Sequence, residues 1–210
     1  MIQILATQFN SGGPFMWVIL ATLGFGFAVV MERFLYFFVF CRGNSSMIVN
    51  KIGNALKKDQ YDEAKKIIGK RKAPLFNLLR TAIEQYTAGA PIKTIQEKVE
   101  ETAIKEVPKM SKRLNYLSLI ANIATLLGLL GTIIGLQVSF SSLASVDVTR
   151  KAAMLAAGIS QAMNTTAFGL IVAVPCMVFY TALHNKENTL IQDVDESVVR
   201  VINYMKEKRV

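Results

Sequence analysis

Residues 126–137 read LLGLLGTIIGLQ, and the fold follows from how that stretch is built. It lies inside residues 114–146, which carry no charged side chain and exceed the ~20 apolar residues that cross a bilayer as a helix. A span that only had to sit in lipid could be Leu and Ile throughout. This one spaces Gly128, Gly131 and Gly135 along its middle, the last two forming a GxxxG, which lets another backbone approach closely. At about 100° per residue, Ala121, Ala124, Thr125, Gly128, Gly131, Thr132, Gly135, Ser139 and Ser142 share one stripe. The opposite side is Leu and Ile, with Gln137 as the exception. The small stripe is expected to meet protein, not lipid.

A second uncharged run, residues 152–185, follows after a charged stretch at 147–151. Thr132 precedes Asp147 by fifteen residues and Thr166 follows Lys151 by fifteen. At 1.5 Å per residue both hydroxyls are expected about 22 Å below that loop, at one level in the inner half of the hydrocarbon. On the returning helix Gly158, Gln161, Ala162, Thr165, Thr166, Gly169, Ala173 and Cys176 again form a small, polar stripe, and Pro175 interrupts the span. Two matched stripes of this kind point to a cavity or a partner groove. The alternative is that Ser and Thr bond back to carbonyls of their own helices.

The remaining chain fits the same plan. Of 210 residues 52% are hydrophobic, yet the net charge is +9, a combination that suits a membrane protein with its charge segregated. Residues 1–31 are uncharged, whereas residues 42–113 hold sixteen Lys or Arg against eight Asp or Glu. The N-terminus lacks the basic start and cleavage site of a secretory signal. Gly12-Gly13-Pro14 is expected to break the chain before a first span over 14–41, within which Glu32-Arg33 neutralises itself near the headgroups or turns Glu32 toward another subunit or an aqueous path. The expected segments are 1–13 outside, spans at 14–41, 114–146 and 152–185, a helical domain at 42–113, an outer loop at 147–151 and a tail at 186–210. The excess of basic residues on one side places the N-terminus outside and the C-terminus in the cytoplasm.

The basic block reads as short amphipathic helices, restarted by Pro74 and Gly89-Ala-Pro91, with Pro108 kinking the last before the second span. Glu97, Glu100 and Glu101 interleave with Lys93, Lys98 and Lys105 as a solvated face. In the tail, Leu190, Val194, Val198, Val201, Ile202 and Met205 recur at helical spacing, so the third helix should continue as a packed rod. The fold class is all-α: three transmembrane helices, long helices reaching into the cytoplasm and a helical domain there. Cys41 and Cys176 make no disulfide framework, His184 is alone, and no catalytic or metal-binding constellation is expected. No cofactor or nucleic-acid partner is expected, because the basic charge has no aromatic interleaving.

The GLLGTIIGL of residues 128–136 and the GISQAMNTTAFGLIVAVP of residues 158–175 resemble the MotA/TolQ/ExbB proton-channel family, most closely its ExbB/TolQ branch. The resemblance implies a channel-forming subunit of an inner-membrane motor: a homopentamer around a dimer of a single-span ExbD/TolR-like protein whose aspartate lies on the ion path. It implies that Thr132 and Thr166 face that aspartate. One position departs from the pattern: the branch has a glutamate five residues before the third-span threonine, where this chain has Gln161. An ionised relay through this subunit alone is then unsupported, and neutral oxygens suit sodium as well as a hydrogen-bonded proton path. The expected ion pathway is Thr132, Thr166, Thr165, Gln161 and Ser139. The expected partner groove is Ala121, Thr125, Gly128, Gly131, Gly135, Gly158, Ala162 and Gly169. The competing readings are a non-conducting scaffold whose small stripes only pack helices, and a sodium-driven or gliding-type motor subunit.

Overall fold

The computed structural model describes residues 12–40, 45–69, 71, 73–143 and 147–209. Residues 1–11 of the outer segment expected at 1–13, Cys41 and residues 144–146 of the second span lie outside that set. The helices are α1 (Phe15–Leu35), continued by a π-helical turn (Tyr36–Phe40), α2 (Ser45–Lys57), α3 (Tyr61–Ile68), α4 (Pro74–Thr87), α5 (Ile92–Glu106), α6 (Pro108–Ser111), α7 (Asn115–Ser142) and α8 (Val148–Arg209). No strand occurs among the described residues. Three helical stretches are long and apolar enough to cross a membrane, so the fold is all-α and membrane-spanning.

The chain divides into two compact units, residues 1–33 with 113–182 and residues 34–112 with 183–210. The first holds the apolar helices. In it, α1 begins at the Gly12-Gly13-Pro14 turn, where Gly13 takes φ 76°, a left-handed conformation that disfavours any side chain. The exposed residues of α1 up to Met31 are apolar or glycine, Trp17, Phe25 and Phe27 among them, as a lipid-facing surface requires.

In the second unit the amphipathic helices close a core around Ile52, Leu79, Ile83, Ile95, Val201 and Met205, each with no exposed surface. Each such side chain contributes roughly 1.5–3 kcal/mol on burial. Val194, Val198 and Ile202 of the tail join them, while Leu190 is only half-buried. The tail is held at its end as well. Tyr204 lies over Gly53, where an added Cβ would sit 2.6 Å from the ring. Lys208 Nζ donates to the carbonyls of Leu56 at 2.8 Å and Lys57 at 3.3 Å and pairs with Asp59 at 2.5 Å. A cation there caps the last carbonyls of α2, whose partial negative charge it offsets.

At the interruption expected at Pro108, α5 stops at Glu106 and Pro108 opens the short α6, a first-turn position where its missing N–H costs nothing, while Val107 between them keeps helical angles, φ −61° and ψ −43°. The chain then turns at Arg113, φ 69°, and α7 starts afresh. One boundary differs from the sequence expectation: the stretch read as an outer loop is mostly helical, because α8 begins at Val148 and runs unbroken to Arg209 with Pro175 inside it.

Candidate functional site

The small stripes of α7 and α8 are packed against each other within this one chain. A Cβ built on Gly169 would lie 2.7 Å from the Ala124 carbonyl oxygen and 3.1 Å from the Gly128 Cα. On Gly128 it would meet the Thr166 Cα at 3.2 Å, and on Gly135 the Ala162 Cβ at 3.2 Å. Gly131 receives the Thr165 methyl, and Gly158 receives the Ser139 hydroxymethyl. Ala121, Ala124, Gly128, Gly131, Ala162 and Gly169 are buried, and Gly135 and Gly158 are half-buried. Of the residues expected to form a groove for a partner, Gly128, Gly131, Gly135, Gly158, Ala162 and Gly169 thus lie against the chain's own neighbouring span, while Ala121 is buried and Thr125 is exposed at the margin.

Helix α1 covers one side of this hairpin. Gly26 lies against Cys176 Sγ and the Ile120 side chain, where a Cβ would be 3.1 and 3.3 Å away. The Gly12-Gly13 turn rests on α8, with Gly13 against the Gln161 amide. The Thr165 hydroxyl, in a residue only 1% exposed, lies 2.9 Å from the Gln161 carbonyl and 3.0 Å from that of Gly12. Thr166 is about 100° further round and Gln161 about 140° away from it, so Thr166 stands at the opposite margin of the hairpin. There its hydroxyl crosses between helices and donates to the Gly128 carbonyl at 3.0 Å. Thr132 stands one turn beyond Gly128, half-buried, and donates to Leu129 O at 2.6 Å.

The five residues grouped as one pathway therefore separate. Thr132 and Thr166 share the margin away from α1, Thr165 and Gln161 lie under its first turn, and Ser139 is buried, donating to Gly135 O at 2.8 Å. Depth shifts too. Glu32 accepts from Arg33 at 3.0 Å and from Arg113 at 2.6 Å, a layer of three ionised groups that anchors one end of the hydrocarbon. Thr132 is about 28 Å from Arg113 along α7, so in a ~30 Å core seated on that layer it lies in the half farther from Arg113. The count from the loop alone placed it too near the inner end, because the uncharged helix is longer than the core. Arg113 as the partner of Glu32, and Gly12 as an acceptor for Thr165, join residues 81 and 153 positions apart. No local periodicity could have paired them.

The chemistry of the threonine margin follows from hydroxyl valence. Each hydroxyl has one proton and two lone pairs, and both protons are committed to carbonyls. The margin presents acceptor oxygens: it suits a protonated carboxyl, a water or a cation, and it repels a carboxylate. Among the described residues no group of three or more His, Cys, Asp or Glu could hold a metal.

A helical chain with three membrane-length spans, the second and third forming a glycine-packed hairpin with a threonine margin, is a polytopic membrane protein built around helix–helix contact. Residues 70–196 match the MotA/TolQ/ExbB proton channel family, and with more than half its length matched the chain belongs to that family. It is 27% identical over 188 residues to the putative biopolymer transport protein ExbB homolog of Methanothermobacter thermautotrophicus, covering 90% of this chain and 66% of that protein. It is 30% identical over 89 residues to the Tol-Pal system protein TolQ of Haemophilus influenzae, covering 42% and 39%. It is 36% identical over 81 residues to the biopolymer transport protein ExbB of Helicobacter pylori, covering 39% and 55%. The matches thus span less than two thirds of these relatives' own lengths. Three apolar helices and these relatives make it a multi-pass membrane protein of the ExbB/TolQ branch.

Proposed function

We propose that this chain is the channel-forming subunit of an inner-membrane motor that couples proton flow to work in the cell envelope. Five copies surround a dimer of a single-span ExbD/TolR-like protein, with the N-terminus periplasmic and the C-terminus cytoplasmic. The observation that carries the reading is the hydrogen bond from Thr166 to the Gly128 carbonyl. It fixes an acceptor oxygen on the margin shared with Thr132, away from α1. A partner's aspartic acid arriving protonated can donate to these oxygens, and on losing its proton it is released because the margin offers no donor in return. Gln161 lies under α1 and is not an available ligand on that margin, which favours a proton carried by the partner's carboxyl over a sodium ion held by neutral oxygens.

The scaffold reading draws support from the same hairpin, since its glycines serve packing. The two readings part on the hydroxyl. Ion flux into vesicles should require the co-expressed single-span partner, and Thr166→Val should lower it while native mass measurement still finds an intact ring. Unchanged flux in that variant would remove Thr166 from the pathway and leave the scaffold.

A further inference from the structure

Helix α7 has three faces, not two. One is the buried small stripe centred on Ala124, Gly128 and Gly131. The second, roughly 140° away, is apolar and exposed: Leu119 50%, Ile123 38%, Leu126 63% and Leu130 42%. The third, flanking the small stripe on the side away from α1, carries Asn115, Ser118, Asn122, Thr125 and Thr132, spaced three, four, three and seven residues apart. Asn115, Asn122 and Thr125 are exposed and Ser118 is half-buried.

Exposed amides and hydroxyls do not face acyl chains without cost, and polar groups within spans point to protein or water-filled space. The first span supplies the internal comparison, because none of its exposed residues up to Met31 is polar. The segregation on α7 is therefore specific to one face. Beyond Thr132 the separation ends, outside the interval discussed: Ile133 falls in line with Asn115, and Gln137 and Ser141 stand on the apolar side.

Resting on the proposed ion site, we propose that Asn115, Ser118, Asn122 and Thr125 line a water-filled access path joining the Thr132–Thr166 margin to the Arg113 end of the span. Successive members are about 4.5–6 Å apart along the axis, a spacing that one or two hydrogen-bonded waters bridge. The amides both donate and accept, so they hold waters in either orientation, as a chain that passes protons in turn requires. Leu129, 53% exposed, interrupts the lining for about 10 Å just before Thr132. The path is neutral, so it selects no ion itself; selection stays at the threonines and the partner's acid.

The test is cysteine accessibility in the assembled complex with its partner. In a Cys41→Ser, Cys176→Ala background, single Asn122→Cys, Thr125→Cys, Ile123→Cys and Leu126→Cys variants are treated with a charged, membrane-impermeant methanethiosulfonate in inside-out and right-side-out vesicles. The thiolate is the reactive form and an apolar setting suppresses it, so the first two should react at least about tenfold faster than the last two from the Arg113 side. Equal rates on the two faces would overturn the path. So would inert cysteines at both 122 and 125, which would mean the edge is covered by protein. Native mass measurement confirms assembly of each variant, and Ser118→Cys replaces any that fails. An unchanged flux in Thr166→Val would sink the ion-site reading yet leave the labelling ratio standing, so the two failures are separable.

Discussion

Replacing Gly169 with alanine tests the hairpin where it is least able to yield. The added Cβ would sit 2.7 Å from the Ala124 carbonyl oxygen and 3.1 Å from the Gly128 Cα. Both neighbours are backbone, so no rotamer change relieves the contact and the two helices must part by roughly half an ångström. Overpacking of this kind costs about 1–3 kcal/mol, and the upper end applies because the obstacle is a helix, not a side chain. The same displacement stretches the 3.0 Å bond from Thr166 to Gly128 O, a further loss of about 0.6–1.7 kcal/mol for an interhelical bond in a membrane. Against these, alanine is the better helix former by about 1 kcal/mol. The net expectation is a destabilisation of about 2.6–3.7 kcal/mol. Gly24→Ala is the control, since nothing lies within 4 Å of a Cβ there and only the propensity gain remains. Both variants can be unfolded reversibly in mixed detergent micelles and compared with the parent by midpoint. If Gly169→Ala proves as stable as Gly24→Ala, the close α7–α8 packing described here is wrong.

Met205→Ala should lose about 2–5 kcal/mol in the charged unit, since the side chain has no exposed surface; a melting curve of the purified complex checks it. Lys208→Gln should lower the same melting temperature by less, and speed amide exchange at the C-terminus of α2, because the carbonyls of Leu56 and Lys57 lose their cation. The hydrogen bond from Lys105, joined by that from Lys98, holds the Glu101 carboxyl down to about 2. The sign follows: a depressed folded value stabilises the folded state above the ordinary glutamate value, and the benefit fades as pH falls through about 2. The Glu101 side-chain carbon resonance should therefore stay that of a carboxylate at pH 3, and Lys105→Ala should move its midpoint upward. Gly13→Ala should cost about 1–2 kcal/mol for placing a side chain at positive φ and also displace the Gln161 amide; a midpoint matching the parent would contradict the seating of the α1 turn on α8.

Periodicity along the chain was enough to reveal three spans, the amphipathic helices of the charged block and a tail that continues the third span. Each is a local property: a run without charge or a 3.6-residue repeat states which side must leave water whatever lies opposite. Gly128, Gly131, Gly135, Gly158, Ala162 and Gly169 were likewise legible as contact residues, because small side chains in a row have no other purpose in lipid. What they touch was not legible. A stripe of glycines specifies a close approach, and it fits the next helix of the same chain as well as a partner. Tertiary packing decided in favour of the same chain, and in doing so it parted Thr166 from Gln161 and Thr165, five residues and one residue away. Which margin of a helix stays open depends on where the first span comes to rest. That is settled by Gly26 meeting Cys176 and by Gly12 meeting Thr165, contacts across more than a hundred residues that no repeat within one helix encodes.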